Sequence, residues 1–121
     1  MVKALLDTNI LIDYLNAVPQ ARSEFKRHVD KAVSIITWME VLVGADASVE
    51  ADTRAFLSSF EVVAIDQRVA ERAVSLRRTH RIRLPDAVIW ASAQIHGMLL
   101  VTRNTKDFPA NDPGVRAPYV L

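Results

Sequence analysis

Leu5-Leu6-Asp7-Thr8-Asn9-Ile10-Leu11 closes a short apolar run on an acid and two further polar residues, and its reading decides the fold. Upstream, residues 2–6 are apolar apart from Lys3; downstream, Ile10, Leu11, Tyr14 and Leu15 fall on one helical stripe. A short apolar run that gives way to helical spacing reads as strand, tight loop, helix. Asp7 is thereby placed at the carboxyl end of a buried strand, with Asn9 predicted to cap the following helix. In open α/β sheets ligands bind at that edge, so Asp7 is the first candidate for an active-site acid.

Working outward, the same alternation continues along the chain. Residues 1–6 are predicted as the first strand and 9–16 as the first helix. Pro19 suits the first turn of a second helix over about 19–30, with Ala21, Phe25 and Val29 turned inward. Residues 32–36 read as the second strand. Thr37 with Glu40 three residues on has the spacing of a capping box, opening a helix that carries Trp38, Val41 and Leu42 and stops at Gly44. A helix over about 49–58 and a third strand over 60–65 follow. Asp66 is predicted to cap a long helix, 67–80, with Val69, Ala73 and Leu76 inside. After a loop at 81–84, Pro85 opens a helix over 86–96 that Gly97 ends. The fourth strand is 98–102, a polar loop covers 103–112, and 119–121 is a short last strand. Strands separated by helices imply right-handed crossovers and a parallel sheet covered on both faces.

The 121 residues suffice for one domain with a real core, and half of them are hydrophobic. No apolar run approaches the roughly 20 residues needed to cross a bilayer, and no secretory signal is visible before Asp7, so a cytoplasmic protein is expected. The chain has no cysteine, which excludes disulfides and thiolate metal sites. Three glycines supply no phosphate-cradling loop, and no Gly-x-Ser-x-Gly elbow is present. A net charge of +1 requires any nucleic-acid footprint to be local.

Four acids fall where a strand hands over to a helix or loop: Asp7, Glu40, Asp86 and Asp107. Acids near helix N-termini also complement the helix dipole, and Glu40 has capping-box spacing, so each alone is ambiguous. Jointly they form an all-oxygen donor set, which suits Mg²⁺ or Mn²⁺. Close carboxylates repel by about 4 kcal/mol per pair at an effective dielectric near 20, and a divalent cation relieves this. Such a site can activate water against a phosphodiester. Asp13, Asp30, Asp46 and Asp66 read as surface or capping residues, and the three histidines as scattered surface residues.

Leu6-Asp7-Thr8-Asn9, Glu40-Val41-Leu42, Leu84-Pro85-Asp86-Ala87-Val88-Ile89 and Thr102-Arg103-Asn104-Thr105-Lys106-Asp107-Phe108 resemble, in order and spacing, the signature segments of the PIN domain. The likeness is greatest to the compact PIN-domain toxins of type II toxin–antitoxin pairs, the VapC family, and covers essentially the whole chain. It implies a three-layer α/β/α, PIN-like fold with a central, mainly parallel sheet of four to five strands, residues 1–121 forming a single PIN domain. It also implies a metal-dependent ribonuclease, a homodimer, held inactive by a small antitoxin in a higher assembly. Asp7, Glu40 and Asp86 carry over as metal-binding acids. The fourth position is divided between Asn104, directly after Thr102-Arg103, and Asp107; both are expected to take part, with Thr8, Asn9 and Thr102 as supporting polar residues.

Six arginines lie between Arg68 and Arg83. Arg77, Arg78, Arg81 and Arg83 are candidate RNA contacts, although a solvated helix face balanced by Asp66 and Glu71 would look the same. Trp38 and Trp90 read as core or dimer-interface residues. Apolar side chains on short helices (Trp38, Val41, Leu42, Phe56, Leu57) exceed the needs of a small core and suggest a covered surface. Alternative functions are RNA processing or DNA cleavage without an antitoxin, or a PIN module that only binds a partner; the four filled acidic positions weigh against the last.

Overall fold

The structure, a computed structural model, describes residues 2–121; Met1, which the sequence assigns to the first strand, lies outside the described residues. The chain runs β1 (Ala4–Leu6), α1 (Thr8–Leu15), α2 (Pro19–Arg27), β2 (Lys31–Ser34), α3 (Ile35–Val43), α4 (Glu50–Leu57), β3 (Glu61–Val63), α5 (Gln67–His80), α6 (Leu84–Ile95), β4 (Leu99–Val101) and β5 (Val115–Arg116). The strands form one sheet in the order β3-β2-β1-β4-β5, and every pair is parallel. All carboxyl ends therefore share one edge. The order reverses between β1 and β4, the switch point at which an open parallel sheet leaves a crevice.

Alternation along the strands builds the three layers. Leu5, Ala32 and Leu100 pack with Val69, Ala73, Leu76, Ile89 and Trp90 of α5 and α6. Their neighbours Ala4, Leu6, Val33 and Val101 pack with Ile10, Leu11, Phe25, Val41 and Leu57 of α1 to α4. Strands buried on both faces read as continuous apolar runs, which is why β1 shows no polar alternation. Leu5, Leu6 and Leu100 are fully buried, each burial contributing about 1.5–3 kcal/mol. Among the described residues, no helix is long and apolar enough to cross a membrane.

The structure corrects several local expectations. Helix α1 is capped by Asp7, whose side chain accepts from Thr8 N; Asn9 lies inside the helix. Helix α3 is capped by Ser34, whose hydroxyl accepts from Ile36 N. The chain turns as β2 ends, so the apolar pair Ile35-Ile36 enters the helix and Thr37 and Glu40 become interior helical residues. Helix α2 stops at Arg27, leaving Val29 74% exposed. The last strand is Val115–Arg116 rather than 119–121; Tyr119 instead donates its hydroxyl to Asp13 Oδ2 at 2.8 Å. Val41 and Leu57 are core residues, while Trp38, Leu42 and Phe56 are half-buried and the exposed apolar side chains nearby are Leu15, Met39, Val43 and Val49. Trp90 is buried, as expected. His28 is not a surface residue: its Nε2 meets Glu24 Oε2 at 2.6 Å, and Arg116 grips the same carboxylate.

Candidate active site at the carboxyl edge

Asp7 follows β1 directly, and its backbone N–H donates to Val101 O at 2.9 Å, extending the β1–β4 ladder to the edge. The carboxylate is 4% exposed and fixed by three donors. Thr8 N donates to Oδ1 at 2.8 Å, and Thr102 Oγ1 and Asn9 Nδ2 donate to Oδ2 at 2.8 and 3.1 Å. Burial outweighs these donors, and the charges of Asp86 and Glu40 add to it, pushing the Asp7 carboxyl up to about 6.

Glu40 and Asp86 approach from the helices that follow β2 and precede β4. Glu40 Oε1 accepts from Thr8 Oγ1 at 2.7 Å, and Thr8 Oγ1 also meets Thr37 Oγ1 at 2.9 Å. A hydroxyl has one proton and an ionised carboxylate only accepts, so Thr8 donates to Glu40 and Thr37 donates to Thr8. Asp86 is buried in the first turn of α6, where Arg83 Nε reaches its Oδ2 at 3.3 Å. Burial raises the Asp86 carboxyl above its ordinary range despite Arg83, helped by the charges of Asp107 and Glu40. Three carboxylates thus border one cleft of about 310 Å³, lined by Asp7, Thr8, Asn9, Glu40, Arg83, Asp86, Arg103 and Asn104, and the charge of Asp107 reaches Asp86 from outside that lining.

Asn104 lines the cleft but is turned toward Asp107: its amide donates to Asp107 Oδ2 at 3.0 Å, and its Oδ1 accepts from Asp107 N at 3.3 Å. Phe108, fully buried, anchors this loop. Thr102 Oγ1 accepts from Asn104 N and Asn9 Nδ2 while donating to Asp7. Of the arginines singled out in the sequence, Arg83 borders the cleft. Arg77 Nη1 donates to Ile82 O at 2.6 Å and serves the α5–α6 turn. Arg78 lies beside Glu71 and Thr79 on the outer face of α5, and Arg81, exposed, closes that helix in a left-handed conformation with φ 56°.

Sequence reasoning missed Asp13 and the arginine that holds it, Arg103. Asp13 is not a surface acid: it is 4% exposed and held by Arg103 and Tyr119. Burial opposes its ionisation, but those hydrogen bonds and the Arg103 charge outweigh it and hold the Asp13 carboxyl below its usual range. Its helical phase was a usable signal, since Asp13 follows Asn9 by four residues.

Among the described residues, no group of three or more acidic or histidine side chains is arranged as it stands to hold a metal ion. Each carboxylate is drawn to a different donor: Glu40 to Thr8, Asp86 to Arg83, Asp107 to Asn104. The donor chemistry nevertheless fits a hard divalent cation, because the groups are oxygen acids, and in Asp7 and Asp86 burial and neighbouring acids oppose an ionisation that a bound cation would favour.

Comparison with known proteins gives concordant findings. The profile of the PIN domain matches residues 4–112. Ribonuclease VapC10 of Mycobacterium tuberculosis is 30% identical over 113 residues, covering 87% of this chain and 85% of that protein. The tRNA(fMet)-specific endonuclease VapC of Shigella flexneri is 30% identical over 120 residues, covering 89% and 91%. A toxin–antitoxin complex from Klebsiella pneumoniae contains a chain 48% identical, with a TM-score of 0.92 over 98% of this chain and 99% of that one.

Proposed function

The chain belongs to the PIN domain family, and from that premise we propose that it is a divalent-metal-dependent endoribonuclease, the toxin of a type II toxin–antitoxin pair. The observation that carries the reading is the convergence of Asp7, Glu40 and Asp86 on one polar cleft at the topological switch point. The names of the relatives, a ribonuclease and a tRNA endonuclease, support RNA as the substrate.

Asp7, Glu40 and Asp86 would hold Mg²⁺ or Mn²⁺, with Asp107 as a fourth acid. Bound there, the cation supplies an activated water and offsets charge developing on the phosphodiester. The chain's own part is orientation. Thr102 and Asn9 hold Asp7 in one rotamer, the Thr37–Thr8 hydroxyl relay steers Glu40, and Arg83 screens Asp86. Asn104 keeps Asp107 close enough for its charge to be felt at Asp86.

An antitoxin and a second copy are the proposed protein partners. A mainly apolar groove of about 540 Å³ runs between α1, α3 and α4, lined by Ile12, Leu15, Val41, Gly44 and Val49, and suits a hydrophobic antitoxin segment. Expected at the bench: the purified, partner-free chain cleaves RNA, tRNA(fMet) being the first substrate to try, in Mg²⁺ or Mn²⁺ and stops in chelator. Equal cleavage in excess chelator would sink the metal mechanism.

A further inference from the structure

The buried Asp13 and the arginine it holds lie outside the four acids, and nothing in the proposed mechanism uses them. Arg103 Nε donates to Asp13 Oδ2 at 2.6 Å and Nη2 to Oδ1 at 3.1 Å, a two-pronged pair; Tyr119 donates to Oδ2 at 2.8 Å. Two prongs on a buried carboxylate fix the plane of a guanidinium as well as its position. Arg103 Nη1 makes no hydrogen bond among the described residues, and the side chain borders the cleft beside Asp7, Glu40 and Asp86. The Asn9 side chain locks the two together: its Oδ1 accepts from Arg103 N at 3.3 Å while its amide donates to Asp7 Oδ2 at 3.1 Å.

We propose that Arg103 is a substrate-binding residue: its guanidinium, set by Asp13 and Tyr119, grips a phosphate of the RNA strand next to the scissile bond. The inference rests on the ribonuclease reading above and adds a residue to it. A cleft lined by carboxylates repels a polyanion, so a fixed cation at its rim is where a phosphate can dock. Stability alone is a poor reason for the pair, since a buried ion pair is often no better than well-packed apolar groups. Bracing is a poor reason too, because backbone bonds from Arg103 N and Asn104 N already tie the loop to Asn9 and Thr102. The molecule also contains its own control. Arg116 grips the buried Glu24 with the same two-pronged geometry, at 2.6 and 3.0 Å, but does not border the cleft.

The test is binding of a fluorescent RNA oligonucleotide in Mg²⁺ over a range of salt concentrations, with every protein carrying Asp7→Asn so that the strand is not cut. Arg103→Ala is expected to weaken binding about tenfold and to flatten the log–log salt dependence by ~0.7, the contribution of one single-strand phosphate. Arg116→Ala should leave that slope unchanged. Arg103→Ala strands Asp13 in the interior, so the double variant Asp13→Asn/Arg103→Ala, which removes both charges, should show the same loss with a native melting curve. Arg103→Lys should keep the slope while losing affinity, because the charge remains and the fork does not. Wild-type affinity and slope in the Arg103→Ala protein would overturn the assignment while leaving the ribonuclease reading intact. Failure of the wild-type chain to bind or cleave RNA overturns both.

Discussion

Asp7 is pulled two ways by its surroundings. Three donors orient it, yet burial raises its carboxyl to about 6 from the ordinary 3.8. The folded state therefore binds the proton more tightly than the unfolded chain does. Below pH about 4 the group is protonated in both states and contributes nothing. As pH rises through about 6 the folded state must ionise a buried acid, and the resulting destabilisation, about 3 kcal/mol, is complete above that value. Asp7→Asn removes this penalty and loses the two hydrogen bonds accepted at Oδ2, at about 1 kcal/mol each. In chelator at pH 7 the variant should melt at the wild-type temperature or higher, and its advantage should shrink as pH falls toward 4, while RNA cleavage is abolished. A variant melting many degrees lower at pH 7 would make Asp7 a structural cap and nothing more. At this scale the sequence exposes Asp7, Glu40 and Asp86 because each stands at a change of hydrophobic period. It hides Asp13 because the partner that explains its burial, Arg103, lies 90 residues further on.

Elements were legible to the extent that their signals were local. Asp66 caps α5 by accepting from Val69 N, and Gly97, at φ 63°, ends α6, both as the sequence predicts. The Thr37–Glu40 spacing misleads because Ser34 lies three residues earlier and caps first, which frees Glu40 for the cleft. β5 escapes notice because two residues, Val115 and Arg116, are too few to display alternation. The loop after β4 is the element on which the fourth site position depends. Asn104 and Asp107 are joined by two reciprocal hydrogen bonds, so they act as a coupled pair. Asp107→Ala should lower turnover by about 10² and raise the metal concentration required, and Asn104→Ala should cost about tenfold. The double variant should be no worse than Asp107→Ala, because much of Asn104's effect passes through its partner. Multiplicative losses in steady-state kinetics would mean that the two residues act independently.

Across the whole molecule, the cleft and the apolar groove meet. Ile12 lines both cavities, on the face of α1 that also presents Leu15. A segment seated in the groove thus lies one helical turn from the acids, near enough for its chain to reach over the cleft mouth. Inhibition then requires no rearrangement of the catalytic residues, and binding and catalysis should separate by mutation. Leu15 and Val49 line the groove and are 43% and 44% exposed, so a charge at either should be tolerated by the fold. Leu15→Asp and Val49→Asp should each keep the melting temperature and the cleavage rate of the free toxin. Both should bind the cognate antitoxin at least tenfold more weakly, since a carboxylate buried in an apolar groove costs well over 1.4 kcal/mol. Titrating antitoxin into a cleavage assay measures this directly: the variants should need about ten times more for half-inhibition. Wild-type inhibition curves for both would place the antitoxin on another face, and a loss of cleavage in the free variants would tie the groove to the catalytic geometry instead.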